Sequence, residues 1–168
     1  ANARSGRSAK IWIKVNSLSD IEMIDKLYLA SSYGVKIKLI VRGICSLIPG
    51  KKGLSENIEA ISIVDQYLEH TRIFAFENGG DAKYFIGSAD LMNRNIDYRV
   101  EVTVPIYNRS IQKQLMDHFN ILWSDNVKAR RQSHLDMNPY RDVSEENPIR
   151  GQRALYDYVK KQLKKATK

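Results

Sequence analysis

His70, Arg72 and Glu77 stand in the order H-x-R-x4-E, and Gly87-Ser88-Ala89-Asp90 begins ten residues after the carboxylate. An imidazole changes charge near neutral pH, so it can give or take a proton or attack phosphorus. A guanidinium stays cationic and holds two phosphate oxygens at once. In an extended segment alternate side chains share a face, so His70 and Arg72 are expected to point the same way. Gly87 and Ser88 let backbone and hydroxyl groups approach an anion closely. The combination suits the handling of a phosphoryl group. From the residues alone the other reading, a partly buried histidine beside a surface ion pair, stays open.

Arg42-Gly43 follows directly on the aliphatic run Ile37 to Val41. In α/β folds ligands bind at the carboxyl ends of strands, and an arginine there meets an anion; a surface ion pair is the alternative. Arg94-Asn95, and Arg99 with Glu101, add polar groups just beyond the Gly-Ser turn, either lining the site or forming a solvated face. The segment Pro49-Gly50-Lys51-Lys52-Gly53-Leu54-Ser55 lacks the G-x4-G-K-[ST] spacing, which excludes a Walker-type phosphate loop. Lys128, Arg130 and Arg131 make a basic run that either guides a polyanion or forms a solvated face. His118 falls in an amphipathic stretch and His134 in a polar segment, and no cysteine–histidine spacing suits zinc. Asp65, Glu69, Glu77 and Asp90 are carboxylates near the histidine, but their spacing does not by itself assemble a metal site.

The elements that must position these groups follow from periodicity. Ile11 to Val15, apolar on both faces, predicts a covered strand. Ser19 with Glu22 forms a capping-box pattern opening a helix from Asp20 to Ser32, which Gly34 ends. Ile37 to Val41 is a second strand, and Ile58 to Leu68 regains order after an irregular stretch. Arg72 to Phe76 and Lys83 to Ile86 predict a hairpin around Asn78-Gly79-Gly80-Asp81. Over Asp97 to Val104, Val100, Val102 and Val104 alternate with polar residues, predicting a strand with a valine face. A helix from Ser110 to Trp123 should turn Ile111, Leu115, Phe119 and Leu122 inward. A polar, loop-like segment from Asp125 to Asn147 precedes a basic helix from Gln152 to Lys165. The β-α-β order argues for an α/β fold with a mixed, mainly parallel sheet and helices on both faces.

At 168 residues the chain can bury a full core and is expected to form one domain over 1–168, its core about 8–125 and its last helix about 150–165. Lys and Arg outnumber Asp and Glu by 27 to 19, a formal charge of +8 that attracts polyanions. Much of that charge is terminal, on Arg4, Arg7 and Lys10 and on Lys160, Lys161, Lys164, Lys165 and Lys168. The lone Cys45 cannot form an internal disulfide, fits a reducing compartment and reads as a small buried hydrophobe. No apolar run approaches a membrane span, so a cytoplasmic location is expected, with the basic surface available for peripheral membrane association. The opening Ala1-Asn2-Ala3 has no initiator methionine, and the chain is expected to be a piece of a longer one.

The H-x-R-x4-E and G-S-x-D pair resembles the H-x-K-x4-D and G-S-x-N signature of the phospholipase D superfamily. Asn16-Ser17-Leu18, Val41-Arg42-Gly43-Ile44-Cys45-Ser46-Leu47, Ser62-Ile63-Val64-Asp65, Leu68-Glu69-His70, Phe76-Glu77-Asn78-Gly79 and Met92-Asn93-Arg94-Asn95 resemble, more narrowly, the carboxyl-terminal domain of the bacterial polyphosphate kinases. That resemblance implies a phospholipase-D-like fold and reversible transfer of the terminal phosphate of ATP to polyphosphate, through a phosphohistidine on a preceding, related domain. It implies nucleotide-phosphate contacts for His70 and Arg42, with His70 as acid–base partner; Arg72, Ser88, Arg94 and Arg99 complete the candidate set. Magnesium is the implied metal, held mainly by the preceding domain, and no metal ligand is assigned here. The implied partners are ATP or ADP, polyphosphate, the preceding domains of the same polypeptide and further copies in a homo-oligomer; nucleic acid is not among them. Leu91 stands where many relatives have tryptophan. Two other readings remain: a homodimeric phospholipase-D-like phosphodiesterase or nuclease, against which Arg72 in place of lysine argues, and a non-catalytic polyanion-binding module.

Overall fold

The computed structural model describes residues 1–133, 137–141 and 147–166. His134 and part of the expected 125–147 loop lie outside the described residues. Seven strands, β1 (Lys10–Val15), β2 (Lys36–Val41), β3 (Ile58–Ile63), β4 (Ile73–Phe76), β5 (Lys83–Gly87), β6 (Thr103–Pro105) and β7 (Ala129–Arg131), form one sheet in the order β6-β5-β4-β1-β2-β3-β7. Helices α1 (Ile21–Ser32), α2 (Asn93–Ile96), α3 (Arg109–Trp123) and α4 (Gly151–Ala166) complete the described elements, with 3-10 turns at Ala3–Ser5 and Asn78–Gly80. The sheet is mixed, as expected, but parallel pairing is confined to its centre. β1 pairs with β2 and β2 with β3 in parallel, whereas the other four pairings are antiparallel. The short β4–β5 connection forces that outcome on its side of the sheet, since closely spaced strands can only return antiparallel.

Helices cover both faces. Ile24 and Leu27 of α1 pack with Ile13, Val15, Ile37, Leu39, Val41 and Leu91 on one face; Phe119, Leu122 and Trp123 of α3 pack with Ile40, Ile61 and Ile63 on the other. Strand alternation makes this division. In β1, Ile13 and Val15 enter the α1 core while Trp12 packs with the α3 cluster. Lys14 therefore points to the α3 face, with Asn16 two residues further on the same side.

Several expectations need correction. The N-cap of α1 is Asp20, whose carboxylate accepts from the Met23 amide at 2.9 Å; the expected capping partner Glu22 instead pairs with Lys26. β3 stops at Ile63, and residues 64–72 carry no regular structure. The valine-faced strand shrinks to β6, and Val100 is 99 % exposed with Val102 and Val104 also open. β6 is an edge strand paired only to β5 among the described residues, so alternation there has no covered face to serve. Ile111, expected inward, is exposed in the first turn of α3, whereas Phe119 and Leu122 are fully buried. Cys45 is half-buried beside the core, and burial pushes its thiol up to about 11, in keeping with a packing role. Among the described residues no helix is long and apolar enough to cross a membrane.

Asp125, fully buried at the end of α3, ties the last elements on. One carboxylate oxygen accepts from the amides of Val127, Lys128 and Ala129, and the other from Gly151 at 2.6 Å. Replacement by alanine orphans four amide donors, two of them buried and two partly buried, each worth about 1 kcal/mol. Asp125→Ala is therefore expected to lower the unfolding free energy by about 3 kcal/mol or more in equilibrium urea titrations, with Asp125→Asn retaining part of the difference.

Candidate functional site

The topology fixes where the candidate residues meet. β3 runs parallel to β1 and β2 and so ends at their carboxyl edge, while β4 runs antiparallel to β1 and starts at that edge. With β1 and β2 lying between β3 and β4, the segment 64–72 must cross the carboxyl ends of the central strands. It carries His70 and Arg72. Arg42 emerges from the end of β2, Lys14 and Asn16 from the end of β1, and Ser88 and Asp90 follow β5 at the same edge.

Contacts link these groups into one chain. Arg72 donates through Nε and Nη2 to the two carboxylate oxygens of Asp90, each at 3.1 Å. The Asn16 amide also donates to Asp90 Oδ1 at 2.7 Å, and Asn16 Oδ1 accepts from Arg42 Nε at 3.2 Å. Arg72 Nη1 donates to the His70 carbonyl at 3.2 Å and stands 3.2 Å from His70 Nδ1. A guanidinium has no acceptor, so a hydrogen bond at that contact leaves Nδ1 unprotonated and puts the proton of the neutral ring on Nε2. The run is thus Arg42–Asn16–Asp90–Arg72–His70, and the imidazole is exposed at its end.

The electrostatics follow from burial and pairing. Desolvation alone would raise the Asp90 carboxyl, but the Arg72 donors and the Asn16 amide together outweigh it and hold it below the ordinary carboxylate range. Arg72 is thereby neutralised in place. Arg42 is the open cation: among the described residues its guanidinium makes one side-chain hydrogen bond, through Nε, leaving both terminal nitrogens for an anion. The Ser88 hydroxyl, by contrast, donates to Glu101 and accepts from the Val102 amide. Asn95 bonds the other Glu101 oxygen at 2.6 Å, and these two side-chain donors hold the Glu101 carboxyl below its usual range.

Some expected members stay outside. Glu77 sits at the far end of β4, where it accepts from Ser8 and pairs with Lys10 at 3.3 Å. A strand between Arg72 and Glu77 carries the two ends apart, so Asp90, not Glu77, neutralises the arginine. Arg94 and Arg99 are exposed; Arg99 acts on Glu101, and among the described residues no hydrogen bond joins Arg94 to the cluster. Two residues were missed. Lys14, its side chain 3 % exposed, donates to the Thr71 carbonyl at 2.8 Å and lies 3.7 Å from Glu69. Asn16, 5 % exposed, bridges Arg42 and Asp90, and its Nδ2 has no partner among the described residues. The signal was present: polar residues at 14 and 16 alternate with Ile13 and Val15 in an otherwise apolar strand.

The donor set does not suit magnesium. Asp90 is engaged on both oxygens by Arg72, Glu69 faces Lys14, and the surroundings are cationic. No group of three His, Cys, Asp or Glu residues able to hold a metal occurs among the described residues.

The mixed sheet with helices on both faces has a phospholipase-D-like α/β fold. The fold matches Nuc from Salmonella typhimurium, a phospholipase D family member, with a TM-score of 0.57 and 15 % identity over 79 % of this chain and 86 % of that one. More narrowly, the family model described as Polyphosphate kinase C-terminal domain 2 matches residues 1–152, and the chain belongs to that family. It is 49 % identical over 160 residues to the polyphosphate kinase of Escherichia coli strain K12, covering 95 % of this chain and 23 % of that protein. It is 48 % identical over 169 residues to that of Vibrio cholerae, covering 99 % of this chain and 24 % of that protein. The crystal structure of polyphosphate kinase from Porphyromonas gingivalis superimposes with a TM-score of 0.92 at 42 % identity, covering 96 % of this chain and 25 % of that one. The chain thus spans about a quarter of the length of these relatives.

The Arg72–Asp90 pair gives a direct test. Asp90→Ala leaves a largely buried guanidinium without its partner, an expected loss of about 3 kcal/mol at pH 7. The Asp90 pKa is depressed on folding, so its contribution is present above the ordinary aspartate value near 4 and is lost as pH falls through the lower folded value. Urea titrations at neutral and strongly acidic pH should show the wild type losing this contribution as Asp90 protonates, while Asp90→Asn removes that part of the pH dependence.

Proposed function

We propose that the chain is the carboxyl-terminal half of a phosphoryl-transfer centre that moves the terminal phosphate of ATP reversibly to polyphosphate. The covalent phosphohistidine forms on the preceding domain of the same polypeptide, and this chain supplies the cationic edge that receives the nucleotide phosphates. One observation carries the reading: Arg42 and His70 stand at the carboxyl edge of the parallel strands and are linked through Asn16, Asp90 and Arg72. Arg42, with its terminal nitrogens open, binds phosphate oxygens and offsets charge as the phosphoryl group moves. His70, with Nδ1 turned to Arg72, presents an Nε2–H that donates to a phosphate oxygen or returns a proton to the departing one. Arg72 orients that ring, while Ser88 is held by Glu101 and the Val102 amide, and Arg94 and Arg99 lie on the exposed surface beyond the turn. Magnesium would supply charge neutralisation between phosphates from a seat on the preceding domain. The phosphodiesterase alternative needs the imidazole itself as nucleophile, and Arg72, standing where those enzymes carry lysine, argues against it.

The test uses the full-length protein. His70→Ala and Arg42→Ala are each expected to reduce ATP-dependent polymer formation about a hundredfold or more, whereas the 168-residue chain alone binds nucleotide or polyphosphate weakly and makes no polymer. Incorporation of radiolabelled ATP into polymer by the chain alone would overturn the half-centre. Unchanged turnover in His70→Ala with weakened polyphosphate binding in Arg42→Ala would instead identify a polyanion-binding module, its affinity falling steeply with salt. Hydrolysis of a generic phosphodiester by the chain would favour the homodimeric phosphodiesterase.

A further inference from the structure

We propose that Lys14 is the positioning residue for His70, its ammonium group holding the crossing segment on both sides of the imidazole. Lys14 Nζ donates to the carbonyl of Thr71, directly after the histidine, and faces the carboxylate of Glu69, directly before it, from 3.7 Å. The histidine itself is bound to nothing but Arg72 among the described residues, through its carbonyl and ring nitrogen. Residues 65 and 67 are fixed separately. Arg150 pairs with both oxygens of Asp65, and the Gln152 side chain exchanges hydrogen bonds with both backbone groups of Tyr67. Lys14 therefore covers the stretch that those contacts leave free. Its own placement is rigid, because it projects from the central strand β1, whose register with β2 and β4 is closed on both sides.

An ordinary surface lysine would not do this. Lys14 is buried on the α3 face, surrounded by Glu69, by the fields of Arg42 and Arg72, and by His118 of α3, whose Nε2 lies 3.9 Å from Glu69. Burial first, then the two guanidinium groups, lower its pKa to about 8, with Glu69 acting in the opposite direction. Burial and Lys14 lower that of His118 to about 4, so the imidazole of α3 is neutral at working pH and leaves the carboxylate to the lysine. An ammonium of this kind deprotonates as pH rises through about 8, and its hold on Glu69 weakens on the alkaline side. The arginines stay charged there, and His70 takes its orientation from Arg72 only while the segment keeps its place.

This role deepens the phosphoryl-transfer reading, but its first readout does not depend on it. In the 168-residue chain, Lys14→Met is expected to speed amide hydrogen exchange across residues 66–74 by about tenfold or more while β1, β2 and β3 change little. In the full-length protein the same change should lower kcat about a hundredfold, leave KM for ATP within about twofold, and abolish a fall in kcat near pH 8. Lys14→Arg, which keeps a charged donor, should restore part of kcat and carry the alkaline fall to higher pH. If Lys14→Met does not fold, because Glu69 is left unpaired, Lys14→Met with Glu69→Gln removes both charges and should still loosen 66–74. Exchange in 66–74 that stays at the wild-type rate in the folded variant overturns the proposal. So does a uniform rise throughout the sheet, or a raised KM at unchanged kcat, which would make Lys14 a plain phosphate ligand. Loosened exchange together with a wild-type full-length protein that makes no polymer would leave Lys14 in its role and refute the kinase reading alone.

Discussion

The carboxylate of Asp90 is the hinge on which the edge of this sheet is organised. It joins three pieces of chain that are distant in sequence: the segment after β5 that carries it, the start of β4 through Arg72, and the end of β1 through the Asn16 amide. Taking a carboxylate and a guanidinium out of water is costly, and two parallel N–H bonds with a third donor are what compensate for it. The arrangement does more than stabilise. A bidentate fork fixes the plane of the guanidinium, so Nη1 can point only toward residue 70. An apolar replacement of similar volume for both partners could match the stability and would lose that direction.

Charge along the edge has a definite balance. Lys14 and Arg72 are set against Glu69 and Asp90, two cations against two carboxylates in half-buried or buried positions. Arg42 remains without a carboxylate among the described residues. The internal pairs therefore serve as scaffold, and on the proposed reading an incoming anion meets the Arg42 guanidinium and the His70 imidazole. Placing them at the carboxyl ends of parallel strands matters because no strand continues there to cover them. The crossing segment, anchored at residues 65, 67, 69 and 71, lies over this edge without closing it.

Much of this was legible in the sequence. The His70–Arg72 spacing and the small-residue turn before Asp90 located one side of the edge, and the arginine directly after an aliphatic strand located another. The β-α-β opening gave the parallel centre. The valines from residue 100 to 104 misled because alternation reports the geometry of an extended chain, not whether anything covers it. Glu77 misled through proximity in number, since a strand separates what sequence places side by side. Lys14 and Asn16 escaped because a single lysine in an apolar strand reads as an edge or solvent position. Its value depends on the segment 64–72 crossing overhead, a long-range fact that periodicity does not contain.

On the proposed reading, the same balance explains why this edge calls for a counterpart. In that reading a nucleotide triphosphate or a polyphosphate end brings several negative charges, while among the described residues this edge meets it with the Arg42 guanidinium and the His70 imidazole. The remaining formal positive charge sits largely near the chain ends, on Arg4, Arg7 and Lys10 and on the exposed face of α4. Charge that far from the reacting atoms steers a polyanion but is screened by salt and cannot stabilise a specific phosphoryl oxygen. Stabilisation at the atom needs fixed donors within hydrogen-bond reach on more than one side, and a flat sheet edge supplies only one side. A second surface, brought against Arg42 and His70, would exclude water and raise the strength of each contact. On the proposed reading the domain is one wall of a site, and its internal ion pairs hold that wall in shape before the other arrives.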